Sequence, residues 1–246
     1  MPTGMVITTI TNTITTMTDA AALYRLMAWL SPAFPTGGFS YSHGLEYAVE
    51  AGLVSDRDAA RTWIDGILRF GAGRSDAQLF ALAWRAANAD DNDALAEIAG
   101  LAAALRGTSE LALESRAQGQ AFLLAVERAW PKARLTASAA LLKTGGIAPS
   151  LPVVVALAVE AHGIALERSL AAYVQSFAAN LVSAAVRLVP LGQSDGLAIL
   201  AALEQAVQEA VSSGLNATPG DIGGAAPMVD WCSMRHETQY TRLFRS

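Results

Sequence analysis

One cysteine, Cys232, stands in 246 residues. That scarcity excludes an internal disulfide and any cysteine-rich metal site, and it fits a reducing, cytoplasmic setting. Charge is also scarce, with 16% charged against 52% hydrophobic residues. Such a balance fits an alanine-rich helical chain, or a chain whose apolar surface other subunits cover. There is no basic excess to hold nucleic acid, because the formal net charge is −5. No uninterrupted apolar run reaches the ~20 residues that span a membrane; 151–159 is short, and Arg187 interrupts 181–189. Walker A, dinucleotide-fingerprint and Gly-x-Ser-x-Gly patterns are missing, as are repeats at solenoid periods and the alternation of half-buried strands.

What is present is helical patterning with short breaks, in a chain long enough to bury roughly 70–75% of its extended surface without staples. The spacing predicts an all-α, single-domain bundle of about eight to ten helices over 19–215. Residues 1–18, with eight threonines and no charge, read as a disordered leader lacking the basic start of a signal peptide. Leu23, Leu26, Met27 and Leu30 form a first apolar stripe. Ser40 is a candidate cap for a helix ending near Gly52, Asp56 for the next, and Ser75-Asp76-Ala77-Gln78 reads as a capping box. Asp90 to Asp93 reads as a loop and cap rather than a calcium loop, since the EF-hand glycine and glutamate are missing. Thr108 opens a helix running to about Trp130. Gly145-Gly146 marks either a loop or a domain boundary. A helix over about 165–189 is apolar nearly all round, which suits the middle of a bundle or a subunit interface. On it Tyr173, Asn180 and Arg187 recur every seven residues as a polar-tipped stripe.

Two segments stand apart. Residues 31–50 combine Pro32, Pro35, Gly37 and Gly38 with Phe34, Phe39, Tyr41 and Tyr47, a rigid aromatic loop feeding a helix. Residues 216–246 read as a glycine-rich connector and a tail mixing Trp231, Tyr240, Leu243 and Phe244 with Arg235, Arg242 and Arg245. Those side-chain types dominate protein–protein hot spots; the tail either orders on a partner or packs back on its own bundle.

Catalytic patterns are thin. His43 reads as a cap or a core hydrogen-bonding group, and His162 as a cation at a helix C-terminus. His236-Glu237 lacks the second histidine of a zincin, Tyr240 standing in its place. Cys232 and His236 make only two metal ligands. The carboxylates look scattered rather than paired.

Residues 31–46, Ser-Pro-Ala-Phe-Pro-Thr-Gly-Gly-Phe-Ser-Tyr-Ser-His-Gly-Leu-Glu, resemble the N-terminal signature of the UreF family of urease accessory proteins. Residues 180–188, Asn-Leu-Val-Ser-Ala-Ala-Val-Arg-Leu, and 190–196, Pro-Leu-Gly-Gln-Ser-Asp-Gly, resemble its central helix and following loop. Residues 236–246, His-Glu-Thr-Gln-Tyr-Thr-Arg-Leu-Phe-Arg-Ser, resemble its C-terminal signature. His43, Ser194 and Thr241 depart from the family's common Gln, Thr and Ser. The resemblance implies an all-α, non-catalytic accessory protein forming a homodimer, with Tyr173, Asn180 and Arg187 expected at the dimer face. It implies binding to a UreD/UreH-type protein and the GTPase UreG on apo-urease, promoting GTP-dependent nickel insertion. No cofactor of its own is expected; nickel and GTP belong to the partners. The partner-binding residues expected are Arg235, His236, Glu237, Tyr240, Arg242, Leu243, Phe244 and Arg245 in the tail, with Gly37, Gly38, Phe39, Tyr41 and Glu46 in the loop and its helix. A rival expectation is regulation of GTP hydrolysis by Arg242 or Arg245 inserted in trans. Another is a metallohydrolase using His236 and Glu237.

Overall fold

The computed structural model describes residues 19–246, so the expected leader lies outside the described residues. A helix over 19–29, α1, precedes eleven more: α2 (Leu45–Glu50), α3 (Arg57–Phe70), α4 (Ala72–Asn88), α5 (Asn92–Ala104), α6 (Ser109–Ala129), α7 (Ala133–Thr144), α8 (Leu151–Ala161), α9 (Leu166–Leu188), α10 (Gln193–Ala202), α11 (Glu204–Leu215) and α12 (Pro227–His236). No strand occurs among the described residues. The count exceeds the expected eight to ten partly because Leu203 both ends α10 and opens α11.

Side-chain caps set several boundaries where the sequence placed them. Asp56, Asp91 and Thr108 each accept a hydrogen bond from the amide three residues on, satisfying one of the donors that a helix start leaves free. Two boundaries differ. Helix α2 begins at Leu45 rather than after Ser40, because Gly44, at φ 78°, is its cap. Helix α4 begins at Ala72, so Ser75 lies within its first turns and caps nothing; Asp76 and Gln78 face inward and are buried.

Helix α4 lies at the centre, packed against α3, α5, α8, α9 and α11. Its alanines permit close approach, and α8 is buried along Pro152 to Val159. Helix α9 is long and apolar enough to cross a membrane by length and composition alone. Here Leu170, Val174, Ala178, Leu181 and Ala185 turn that apolar face into the bundle. On α1, Leu26 and Trp29 enter the core while Leu23, Tyr24 and Met27 are exposed, which splits the expected stripe.

Candidate functional site

The aromatic loop, the first turns of α6, α12 and the tail meet at one place. Glycine at 44 is required there twice. Its φ is left-handed, and a Cβ would stand 3.0 Å from the Val229 carbonyl oxygen and 3.1 Å from the Ser233 nitrogen, on α12. Its neighbour His43 is also left-handed, at φ 57°, a conformation that costs about 1–3 kcal/mol in a non-glycine residue and persists where surroundings over-determine it. The surroundings are visible: the His43 ring lies edge-on to Phe177, centroids 5.5 Å apart, and its Nδ1 is 3.4 Å from Glu114.

Three buried glutamates organise the rest. Glu46 on α2 accepts from the Leu243 amide at 2.6 Å and the Phe244 amide at 2.9 Å. Its Oε2 is also 2.9 Å from His236 Nε2. On the other side of that ring, Nδ1 is 2.7 Å from Glu110. Each ring nitrogen of His236 thus has a glutamate partner, Nε2 on Glu46 and Nδ1 on Glu110. Arg242 donates to the other Glu110 oxygen at 3.1 Å. One turn along α6, Glu114 accepts from the Ser246 hydroxyl at 2.7 Å. Main-chain bonds complete the fastening: Arg245 N–H donates to the Ser40 carbonyl, and Ser42 donates to the Ser246 main-chain oxygen from both its amide and its hydroxyl. Phe244 is buried beneath the Arg187 guanidinium, 4.4 Å from its ring centroid.

The tail therefore packs on its own bundle, one of the two outcomes the sequence left open. Of the tail and loop residues expected to bind partners, His236, Phe244, Glu46 and Tyr41 are buried inside this junction. Arg235, Glu237, Tyr240, Arg242, Leu243, Arg245 and Phe39 face outward. Glu237 accepts from the Ser109 hydroxyl, and Arg235 lies over the Tyr47 ring. Gly37 and Gly38 shape the loop beside α9.

The expected dimer stripe is engaged within the chain. Tyr173 is buried and its hydroxyl donates to Asp76 at 3.0 Å. Asn180 donates to the Gly38 carbonyl at 3.2 Å, and Arg187 donates to the Phe39 carbonyl at 2.7 Å. His162 is corrected from a cation to a group held toward neutrality: burial lowers its pKa, while Nδ1 contacts the Ala158 carbonyl. Cys232 is buried and burial pushes its thiol up to about 11, far from a ready metal-binding thiolate. No cluster of three or more His, Cys, Asp or Glu side chains fit to hold a metal occurs among the described residues.

Sequence reasoning missed Glu110, Glu114, Asp76 and Arg106. The only available signal for the glutamates was their spacing of four on α6, which places both on one helix face.

Burial opposes the charge of Glu114, yet the charge and hydrogen bond of His43, with Ser246 and Arg106, outweigh it and lower its pKa from the ordinary 4.5. A depressed carboxylate contributes stability that is complete above its unfolded value and lost as pH falls through its folded one. Unfolding midpoints in urea are thus expected to fall with acidification below about pH 4.5, and Glu114→Gln to flatten that part of the profile. Parallel profiles for the two proteins would remove Glu114 from the account.

By class this is an all-helical bundle whose C-terminal tail is fastened to the loop over 31–46, α2 and α6, with aromatic and arginine side chains facing outward. A profile of the UreF family matches residues 54–204, and the chain belongs to that family of urease accessory proteins. It is 47% identical over 237 residues to the urease accessory protein UreF of Magnetococcus marinus, an alignment covering 94% of this chain and all of the relative. It is 49% identical over 234 residues to that of Granulibacter bethesdensis, covering 94% and 97%. With that of Rhodopseudomonas palustris strain HaA2 it shares 49% over 228 residues, covering 93% and 95%. Most of the junction, including Glu46 and His236, lies outside the span of the family profile.

Proposed function

We propose that this chain is a non-catalytic bridge. It joins a UreD/UreH-type accessory protein and the GTPase UreG to apo-urease, for GTP-dependent assembly of the nickel centre. Family membership supports the setting. The observation that carries the docking role is the fastened tail: with Phe244 and Ser246 pinned inside, Tyr240 is fully exposed, Leu243 is 67% and Phe39 64% exposed. Arg242 and Arg245 flank them. Large apolar side chains held rigidly in water, rimmed by arginine, match the composition of interface anchors. The UreD/UreH-type protein docks on Tyr240 and Leu243, and the loop around Gly37 and Gly38 contributes to the surface that receives the GTPase. Arg242, held by Glu110, acts here in fastening rather than as an inserted arginine. The homodimer uses a face other than buried Tyr173; the exposed Leu23, Tyr24 and Met27 of α1 supply one.

The test is co-expression with the other urease proteins followed by affinity purification of this chain. The double variant Tyr240→Ala, Leu243→Ala is expected to fold normally. Loss of two anchors worth about 2 kcal/mol each lowers partner affinity by a factor on the order of a thousand.

A further inference from the structure

Helix α1, the loop over 31–39, α6 and α9 enclose a cleft of about 280 Å³, with exposed Pro32, Phe39 and Gln175 at its mouth. The two adjacent glycines of the loop differ in what they require. Gly37 is left-handed, at φ 73°. Gly38 has no left-handed angle and opens a short 3-10 turn over Gly38–Ser40, a conformation that residues with side chains also adopt. What its missing side chain leaves is space, and that space is ringed by oxygens. The place of a Cβ at 38 lies 3.1 Å from Gln118 Oε1, 3.6 Å from Thr36 Oγ1 and 3.8 Å from Asn180 Oδ1. All four residues line the cleft.

These oxygens are oriented and short of donors. Gln118 is 8% exposed, and its Nε2 donates to Glu114 at 3.5 Å, which turns Oε1 toward Gly38. Asn180 Nδ2 donates to the Gly38 carbonyl at 3.2 Å, which sets Oδ1 likewise. Among the described residues neither amide oxygen accepts a hydrogen bond, and Thr36 Oγ1 accepts a long one, 3.4 Å from the Gly38 amide. Buried side-chain acceptors are mostly paired, so three oxygens around one gap call for a donor from outside the chain.

We propose that this gap takes a primary ammonium group, the lysine side chain of a docked protein partner. An ammonium carries three N–H donors and no acceptor, one donor for each oxygen, and its slender stem leads out past Phe39. A guanidinium is a planar fork suited to paired coplanar acceptors, and calcium takes about six to eight oxygens. The charge also fits. Glu114, paired with His43 at 3.4 Å, stands behind the Gln118 amide, while Asp76 deeper in the cleft is matched by Arg106 at 2.7 Å. Arg187, two turns further along α9, donates to the Phe39 carbonyl and lies over Phe244. The chain as a whole carries −5, which favours a basic partner. That the lysine belongs to a protein rests on the function proposed above, in which the loop around Gly38 contributes to the surface receiving the GTPase.

The probe is n-butylammonium, a model of the lysine stem, titrated into the isotope-labelled full chain at constant ionic strength. Tetramethylammonium is the cation without N–H donors, and potassium chloride the salt control. The expected result is a saturable shift of the Gln118 and Asn180 side-chain amide resonances, with a dissociation constant on the order of ten millimolar, within reach of so small a ligand. Gly38→Ala puts a methyl group in the gap and is expected to weaken binding at least about tenfold. Gln118→Leu, which removes one oxygen at similar volume, is the second variant and is expected to do the same. In co-expression with the other urease proteins, both variants are expected to recover several-fold less of the GTPase. Shifts that fail to saturate, or that tetramethylammonium or potassium reproduces, mean that water fills the gap and overturn the proposal. Probe binding by the unaltered chain with undiminished recovery of the GTPase by both variants overturns the partner lysine. The titration uses the chain alone, so its failure leaves the bridging role standing.

Discussion

Glu46→Ala is expected to lower the unfolding free energy by about 3–5 kcal/mol, the cost of breaking a buried charge pair and orphaning its partners. The carboxylate serves three donors at once, His236 Nε2 and the Leu243 and Phe244 amides. Its removal leaves an imidazole that is fully buried facing Glu110 alone, and two tail amides with nothing to replace their acceptor. For a chain of this length the loss corresponds to roughly 6–20 °C in Tm, read by calorimetry. Hydrogen exchange supplies the site-specific readout. Amides of Leu243, Phe244 and Arg245 are expected to lose protection by several orders of magnitude while those of α4 and α8 lose only what the global destabilisation dictates. Unchanged protection of the tail in Glu46→Ala would show that the main-chain bonds to Ser40 and Ser42 hold it unaided. The same reasoning bears on truncation: removing 235–246 deletes His236 and Phe244 from the interior, so a truncated chain loses structure as well as a docking surface.

Gly119→Ala is expected to be comparably severe for an unrelated reason. Helix α6 crosses the start of α8 at this residue, where a Cβ would lie 1.9 Å from the Pro149 carbonyl oxygen and 2.9 Å from the Leu151 nitrogen. No rotamer relieves a clash between a Cβ and main-chain atoms, so the two helices must separate. Overpacking in a close-packed interior costs typically 1–3 kcal/mol and more where backbone must move, placing this variant at about 3 kcal/mol or above. Gly100, with open space around its Cβ position, is the control: Gly100→Ala within α5 is expected to be neutral or stabilising by up to about 1 kcal/mol. Equal stability of the Gly119 and Gly100 variants would mean that the α6–α8 crossing is looser than described.

Much of the helical layout was legible because its signals are local. A side chain at Asp56, Asp91 or Thr108 reaches an amide three residues away, and that spacing is visible in any sequence. Gly44 and Gly71 cap α2 and α4 without a side chain, so those boundaries were displaced to Ser40 and Ser75. Of the two core helices, α9 was legible and α4 was not, for a related reason. Helix α9 advertises itself with leucine and valine, whereas α4 is central because alanines and the facing Gly214 allow close contact, a property of pairs of helices rather than of one.

The junction was half legible. Its two ends were singled out by their aromatic, glycine and arginine content and by family resemblance. The groups that join them were not, because His236 meets Glu46 across 190 residues and Glu110 across 126. A glutamate read alone belongs to solvent; only the fold shows that Glu46, Glu110 and Glu114 are buried and share partners. Asp76 was assigned to a cap for the same reason, when its partner Arg106 lies 30 residues on in the loop before α6.

Buried carboxylates fasten the tail and leave Tyr240 and Leu243 exposed, the surface proposed above for a UreD/UreH-type partner. The most direct measurement is co-purification of that partner with the Tyr240→Ala, Leu243→Ala chain, alongside hydrogen exchange at Phe244 in the same protein. Loss of the partner with Phe244 still protected is the predicted result. Wild-type recovery of the partner by the variant would contradict it.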